Sequence, residues 1–199
     1  MKIITVAHQK GGVGKTTLAL NLAFCFADSA RVAVTDTDFQ GSINSLSGIL
    51  TGIDLVSPDD VLAGKVTGYD LLVIDTPPYL TNRLSDLFAI SDFVLVPTKP
   101  GVLDTMAVRA TVSLLQESIQ KKPTLKAGIV LNMVMPRTSL TAEVREVLSE
   151  FAIPVLPTQI HQRVSYARSP VTNGIFESDD EKAKDEIQQL AADILTHLA

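Results

Sequence analysis

The sequence predicts an α/β fold: a mostly parallel, doubly wound sheet with helices on both faces. Three observations predict it. Short β-branched or apolar runs recur at residues 3–7, 31–35, 71–74, 93–96, 127–131 and 154–156, each of strand length. Helix-like stretches separate most of them, and such alternation belongs to parallel sheets covered on both faces. Polar residues with chemical potential cluster just after the runs, at the carboxyl ends of strands, where ligands bind in open sheets of this kind.

Three helices are legible from spacing. In the last, Ile187, Leu190, Ala191, Ile194, Leu195 and Leu198 repeat on one face, with Ser178 and Glu181 as the expected capping box. A second runs from about Ser139, burying Leu140, Val144, Val147, Leu148 and Phe151. A third follows Asp104 through Val108, Leu115 and Ile119. A further helix is expected to begin near Lys15, after the first strand.

The chain has 199 residues, 46% of them apolar and 20% charged, enough for one substantial core, and residues 1–199 are expected to form a single domain. The lone Cys25 rules out a disulfide framework or cysteine-rich metal site within the chain and fits a reducing cytoplasm. Residues 1–8 lack a small-residue cleavage pattern, and no apolar run approaches the roughly 20 residues that span a bilayer. A soluble, unprocessed cytoplasmic protein is expected. The net charge of -5 argues against a uniformly basic nucleic-acid binder. It hides an uneven distribution, because residues 121–170 carry seven Lys or Arg against three acids, whereas residues 177–186 carry six acids against two lysines.

The decisive segment is Lys10-Gly11-Gly12-Val13-Gly14-Lys15-Thr16-Thr17, between the first strand and the helix that follows. Glycines let the backbone curl until successive N–H groups face phosphate oxygens, and the helix adds its positive N-terminal end. Lys15 would hold the β and γ phosphates, Thr16 would offer its hydroxyl to Mg²⁺, and Thr17 would donate to the α phosphate. The fold is therefore expected to be of the P-loop NTPase type. Leu71-Leu72-Val73-Ile74-Asp75-Thr76-Pro77-Pro78 has the form of a Walker B element, an apolar strand ending in a carboxylate, and Asp75 would hold a magnesium-bound water.

The loop departs from the usual P-loop pattern in having Gln9 where a glycine is common and a second lysine, Lys10, at its start. This lysine-first form resembles the deviant Walker A motif of the ParA/MinD family of dimeric ATPases. The resemblance implies that Lys10 reaches across to the nucleotide of a partner copy, much as an arginine finger acts in trans. It also bears on Asp36-Thr37-Asp38-Phe39-Gln40-Gly41-Ser42, which matches the family's Asp-x-Asp-Pro-Gln-Gly-Asn except at Phe39 and Ser42. By that likeness Asp36 supports magnesium and the loop, and Asp38 orients the attacking water. A carboxylate is a modest activator, so slow turnover of ATP is expected, with an ATP state that lasts long enough for partners to read.

Weaker likeness continues through residues 91–97, Pro100, Leu103-Asp104, Asn132 and residues 156–167. It implies that Asn132 lies near adenine, although a turn role is an equal reading. It further implies that Arg137, Arg145, Arg163 and Arg168 form a face for nonspecific DNA, against which stands their pairing with Glu143, Glu146 and Glu150. The partners implied are a second copy of the chain in the ATP state, DNA, and a ParB-like or other adaptor that stimulates hydrolysis. The last helix begins acidic and lacks the basic amphipathic end of membrane-bound MinD-like members, so no membrane partner is expected. One cysteine excludes the iron–sulfur relatives. P-loop enzymes that phosphorylate a small carboxylate remain the rival class, and they lack the Lys10 feature. His8, where the family usually has Asn, His161 and His197 suggest no metal site. No helix-turn-helix segment precedes the first strand, so operator binding is not expected.

Overall fold

The computed structural model describes residues 1–38, 43, 46, 48–79, 82–136 and 140–199. Its strands are β1 (Lys2–Val6), β2 (Val32–Asp36), β3 (Asp54–Leu55), β4 (Leu71–Asp75), β5 (Phe93–Thr98), β6 (Lys126–Val134) and β7 (Val155–His161). Its helices are α1 (Lys15–Ala27), α2 (Pro58–Leu62), α3 (Asn82–Ile90), α4 (Val102–Lys121), α5 (Leu140–Ser149), α6 (Val164–Arg168) and α7 (Glu181–Leu198). The strands join in the order β3-β2-β4-β1-β5-β6-β7, and every pairing among the described residues is parallel. The expected doubly wound sheet is present, with one more strand than the sequence predicts.

Side chains alternate between the two faces because the strand period is two. Ile4, Val6, Val73, Phe93 and Leu95 point to the face covered by α1 and α7. Their neighbours Leu72, Ile74, Val94 and Val96 point to the other face, under α2, α3, α4 and α5. With both faces covered, the central strands read as continuous apolar runs, and each fully buried Leu or Ile contributes about 1.5–3 kcal/mol. The chain passes from β4 to β5 across β1, so the sheet reverses its winding beside the strand that feeds the glycine loop. That switch point is where an open α/β sheet leaves a crevice.

Three local expectations change. The capping box of the last helix is shifted: Asp180 is the N-cap of α7, its carboxylate accepting the Ala183 N–H at 3.2 Å. Ser178 is occupied closing the preceding turn, where its hydroxyl donates to the Ile175 carbonyl at 2.7 Å. In α5, Val144 and Leu148 are buried but Val147 faces outward, and Ser139, its expected start, lies outside the described residues. β7 runs well past residue 156. It is an edge strand whose pairing with β6 is irregular between Ile129 and Leu131, and Pro157, which has no N–H, sits within that irregularity.

Candidate functional site

β1 delivers the chain to the loop, and the loop is held from several sides. His8, 1% exposed, accepts the Lys10 N–H on Nδ1 at 2.8 Å, which fixes the first turn. Burial, and then the charge of Lys15, hold its ring neutral down to about pH 4. Gly12 and Gly14 lie in the left-handed region at φ 68° and 90°, conformations that glycine adopts without cost. Gly14 caps α1 with no side-chain hydrogen bond, so the helix presents its first N–H groups and positive end to the crevice. Lys15 folds back over the loop, donating to the Lys10 carbonyl at 3.2 Å. Its pKa is lowered by burial, against the opposing charges of Asp75 and Asp38.

The result is a cleft of about 360 Å³ lined by Gly11, Gly12, Gly14, Lys15, Thr16 and Thr17 from the loop and by Asp36, Asp38 and Asp75 from the neighbouring strand ends. These acids converge because β2 and β4 end in register, with Asp36 opposite Asp75. Asp75 is 3% exposed. Its Oδ2 accepts the Thr16 hydroxyl at 2.5 Å, while its Oδ1 is buried with no hydrogen-bond partner among the described residues. Burial pushes its carboxyl up to about 7, the Thr16 hydroxyl opposing and the Asp36 charge adding to the rise. A buried, orphaned carboxylate oxygen beside a hydroxyl is a place for a hard cation, and Mg²⁺ suits such an oxygen set because it takes few protein ligands and completes its shell with phosphate and water. Among the described residues no three His, Cys, Asp or Glu side chains form a self-sufficient metal cage.

Asp36 uses both oxygens on backbone amides, accepting Asp38 N–H at 2.9 Å and Ile43 N–H at 3.0 Å. It therefore braces the turn that carries Asp38. Burial raises its pKa, those two amides pulling the other way.

Asn132 stands beside the loop and is not idle there. Its amide nitrogen donates to the Val13 carbonyl at 2.7 Å, and its Oδ1 accepts the Met133 N–H at 2.9 Å. A second recess of about 170 Å³, lined by Gly14, Thr17, Asn132, Met133, Gln162 and Tyr166 among others, continues from the phosphate cleft along β6 and β7. Val13 itself is buried in the core.

Among the described residues, Lys10 and the three expected arginines lie apart from the cleft wall. Lys10 points its ammonium at Asp104, with Nζ donating to Oδ1 at 2.7 Å. Arg163 is committed within the chain: its guanidinium donates to Glu186 Oε1 at 2.6 Å and lies 3.7 Å from Asp180. It pairs with those acids rather than with the glutamates of α5, and its pKa is raised by the Glu186 bond. Arg145 donates to the Pro157 carbonyl at 3.4 Å, Arg168 is exposed at the end of α6, and Arg137 lies outside the described residues, as do residues 39–42.

Sequence reasoning did not identify Asp104, Gln9, Met133 or Lys99 as parts of the site. Gln9 donates to the Ala107 carbonyl at 2.7 Å, and Lys99 Nζ lies 3.9 Å from where a Cβ on Gly12 would stand. Met133 has φ 56°, an unusual conformation for a side-chain-bearing residue that coincides with the second β6–β7 irregularity and aims Asn132 at the loop. The sequence marked Gln9 as a departure from the usual loop and Asp104 within a weaker likeness, without a role for either in the site.

A family model described as the CobQ/CobB/MinD/ParA nucleotide binding domain matches residues 4–174. The maintenance of carboxysome distribution protein A of Halothiobacillus neapolitanus is 29% identical, over 96% of this chain and 95% of that protein. The chromosome-partitioning ATPase Soj of Thermus thermophilus is 31% identical over 84% of each chain. The structure of apo McdA from Cyanothece superposes with a TM-score of 0.74 at 18% identity, covering 100% of both chains, a likeness of fold.

Proposed function

We propose, starting from the fact that this chain belongs to the ParA/MinD family of P-loop ATPases, that it is an ATP-dependent dimerising switch that positions a cargo on DNA. The observation that carries the reading is the pairing of a complete phosphate loop with a lysine, Lys10, whose ammonium lies outside its own cleft. A lysine so placed is available to a second copy more readily than to the phosphates of its own chain.

In the proposed mechanism the loop amides and Lys15 bind the β and γ phosphates, Thr16 and Asp75 hold Mg²⁺, and Asp36 keeps Asp38 in place to orient water. Bound magnesium supplies charge neutralisation at the phosphates. Asn132 keeps the loop in register with the recess beyond it, which takes adenine. Asp38 is a weak activator, so hydrolysis is slow until a ParB-like or other adaptor stimulates it, and the ATP state persists as a magnesium-bound homodimer. That dimer holds DNA nonspecifically through Arg145 and Arg168, with Arg137 as a further contact, and so associates with the nucleoid in the cytoplasm. Among the described residues no helix is long and apolar enough to cross a membrane. The cargo is a plasmid, a chromosome or a protein assembly. Near-complete coverage in both directions by a carboxysome distribution protein favours the assembly.

Sedimentation and DNA retention with ATP or ADP test the proposal on wild type, Lys10→Ala and Asp38→Ala. Lys10→Ala is expected to lose both dimer and DNA retention, whereas Asp38→Ala keeps the dimer and loses turnover. Phosphorylation of a small carboxylate, with assembly indifferent to ATP, would instead place the chain with the metabolic P-loop enzymes. Capture of the ATP form by liposomes rather than DNA would place it with the membrane branch.

A further inference from the structure

Lys10 is tethered at two levels. Its backbone is fixed, with its N–H on His8 Nδ1 and its carbonyl accepting Lys15 Nζ. Its side chain is held separately, by Asp104 in the first turn of α4. The Asp104 side chain is largely buried, at 15% exposure, while the Lys10 side chain is 40% exposed. The preceding residue reinforces the link, since Gln9 Nε2 reaches the Ala107 carbonyl at 2.7 Å. Two consecutive residues at the start of the loop are thus fastened to the first two turns of α4, and the lysine side chain keeps 40% of its surface exposed.

We propose that Asp104 is a positioning residue for Lys10, a latch in cis that holds the ammonium on α4 and must surrender it before Lys10 can reach a triphosphate bound by a second copy. This rests on the reading of Lys10 as a residue that acts in trans. A single carboxylate competes poorly with the clustered charge of a triphosphate, but it competes better with a diphosphate, which lacks the terminal group. The latch therefore opens for an ATP-loaded partner and stays closed without one. Asp104 is not stranded when Lys10 departs. It lies in the first turn of α4, where Gly101 supplies no side-chain cap and the helix dipole favours a negative charge. The latch sets the protein concentration at which ATP produces a dimer, and Asp104 touches no reacting atom.

Sedimentation over a protein-concentration series, with ATP, ADP or no nucleotide, tests this on wild type, Asp104→Asn, Lys10→Ala and the double variant. Asp104→Asn should dimerise with ATP at about fivefold lower concentration than wild type, the scale of one partly exposed ion pair. Asp104→Glu should return the threshold towards wild type, and the double variant should match Lys10→Ala. Asp104→Ser, also accommodated in a first helical turn, should shift the threshold in the same direction if the asparagine variant folds poorly. An unchanged or higher threshold in Asp104→Asn overturns the latch, as does an equal shift in the Lys10→Ala background, which would mean that Asp104 acts through α4 alone. If Lys10→Ala dimerises as well as wild type, the trans reading itself fails and takes the latch with it, an outcome separate from the other two.

Discussion

At Gly14 two demands meet on one residue. The backbone is left-handed at φ 90°, and a Cβ there would collide with the Asn132 amide that braces the Val13 carbonyl. Gly14→Ala is expected to cost about 2 kcal/mol from backbone strain alone, lowering Tm by about 4–8 °C for a chain of this size, and to displace the amide from Val13. Isothermal titration should show loss of nucleotide binding while circular dichroism keeps its α/β signature. Asn132→Ala leaves the buried Val13 carbonyl unmet, at about 1–3 kcal/mol. Because the two residues contact each other, the double variant should be less destabilised than the two single losses together. Additivity would show that the collision is relieved elsewhere and that Asn132 is a bystander to the loop.

At the scale of elements, the last helix holds the far wall of the site. Glu186 on α7 is 9% exposed and receives the His161 N–H at 3.1 Å, the Tyr166 hydroxyl at 3.0 Å and the Arg163 guanidinium at 2.6 Å, with His161 Nδ1 at 2.8 Å. Burial alone would raise its pKa, but the bonds from Arg163, His161 and Tyr166 outweigh burial and the net direction is down. A carboxylate with a depressed folded value adds stability above its unfolded value, and that stability is lost as pH falls through the folded one. Glu186→Gln should therefore cost about 2 kcal/mol in urea unfolding at pH 7, and the gap to wild type should close as pH falls below the ordinary glutamate value of 4.5. A gap that stays constant with pH would assign the loss to packing. The Lys10-to-Thr17 loop, Asp36 and Asp75 were legible in the sequence because each is a contiguous pattern written at a strand end. Glu186, Asp104 and Asn21 were not. Asn21 is buried between α1 and the segment after α6, bonding Ser169 and the Ile175 N–H, and partners 148 and 154 residues away leave no local trace. β3 escaped for another reason: two residues are too short to show a period.

For the whole molecule, the proposed DNA retention has to be reconciled with a net charge of -5 per chain. A basic patch must be local, and dimerisation must double it while the overall field stays repulsive. The structure divides the expected arginines into two kinds. Arg163 is spent on Glu186 and Asp180, and removing it would take the charged donor from a buried carboxylate rather than a contact from a phosphate. Arg168 is exposed at the end of α6, and Arg145 keeps only a long bond to Pro157 near the same edge strand. If each exposed arginine neutralises one phosphate, Arg168→Ala removes two contacts per dimer, and the slope of log affinity against log salt should become shallower by roughly 2. ATP-dependent sedimentation should be unchanged, since Arg168 is not among the residues that line the cleft. Arg163→Ala should give the opposite pattern, a lower melting temperature with the salt slope preserved in the fraction that remains folded. Fluorescence anisotropy of a labelled duplex at four or five salt concentrations reads both variants. A slope that does not move with Arg168→Ala or Arg145→Ala would detach DNA binding from this face, because phosphate contacts are counted by salt regardless of the sequence bound.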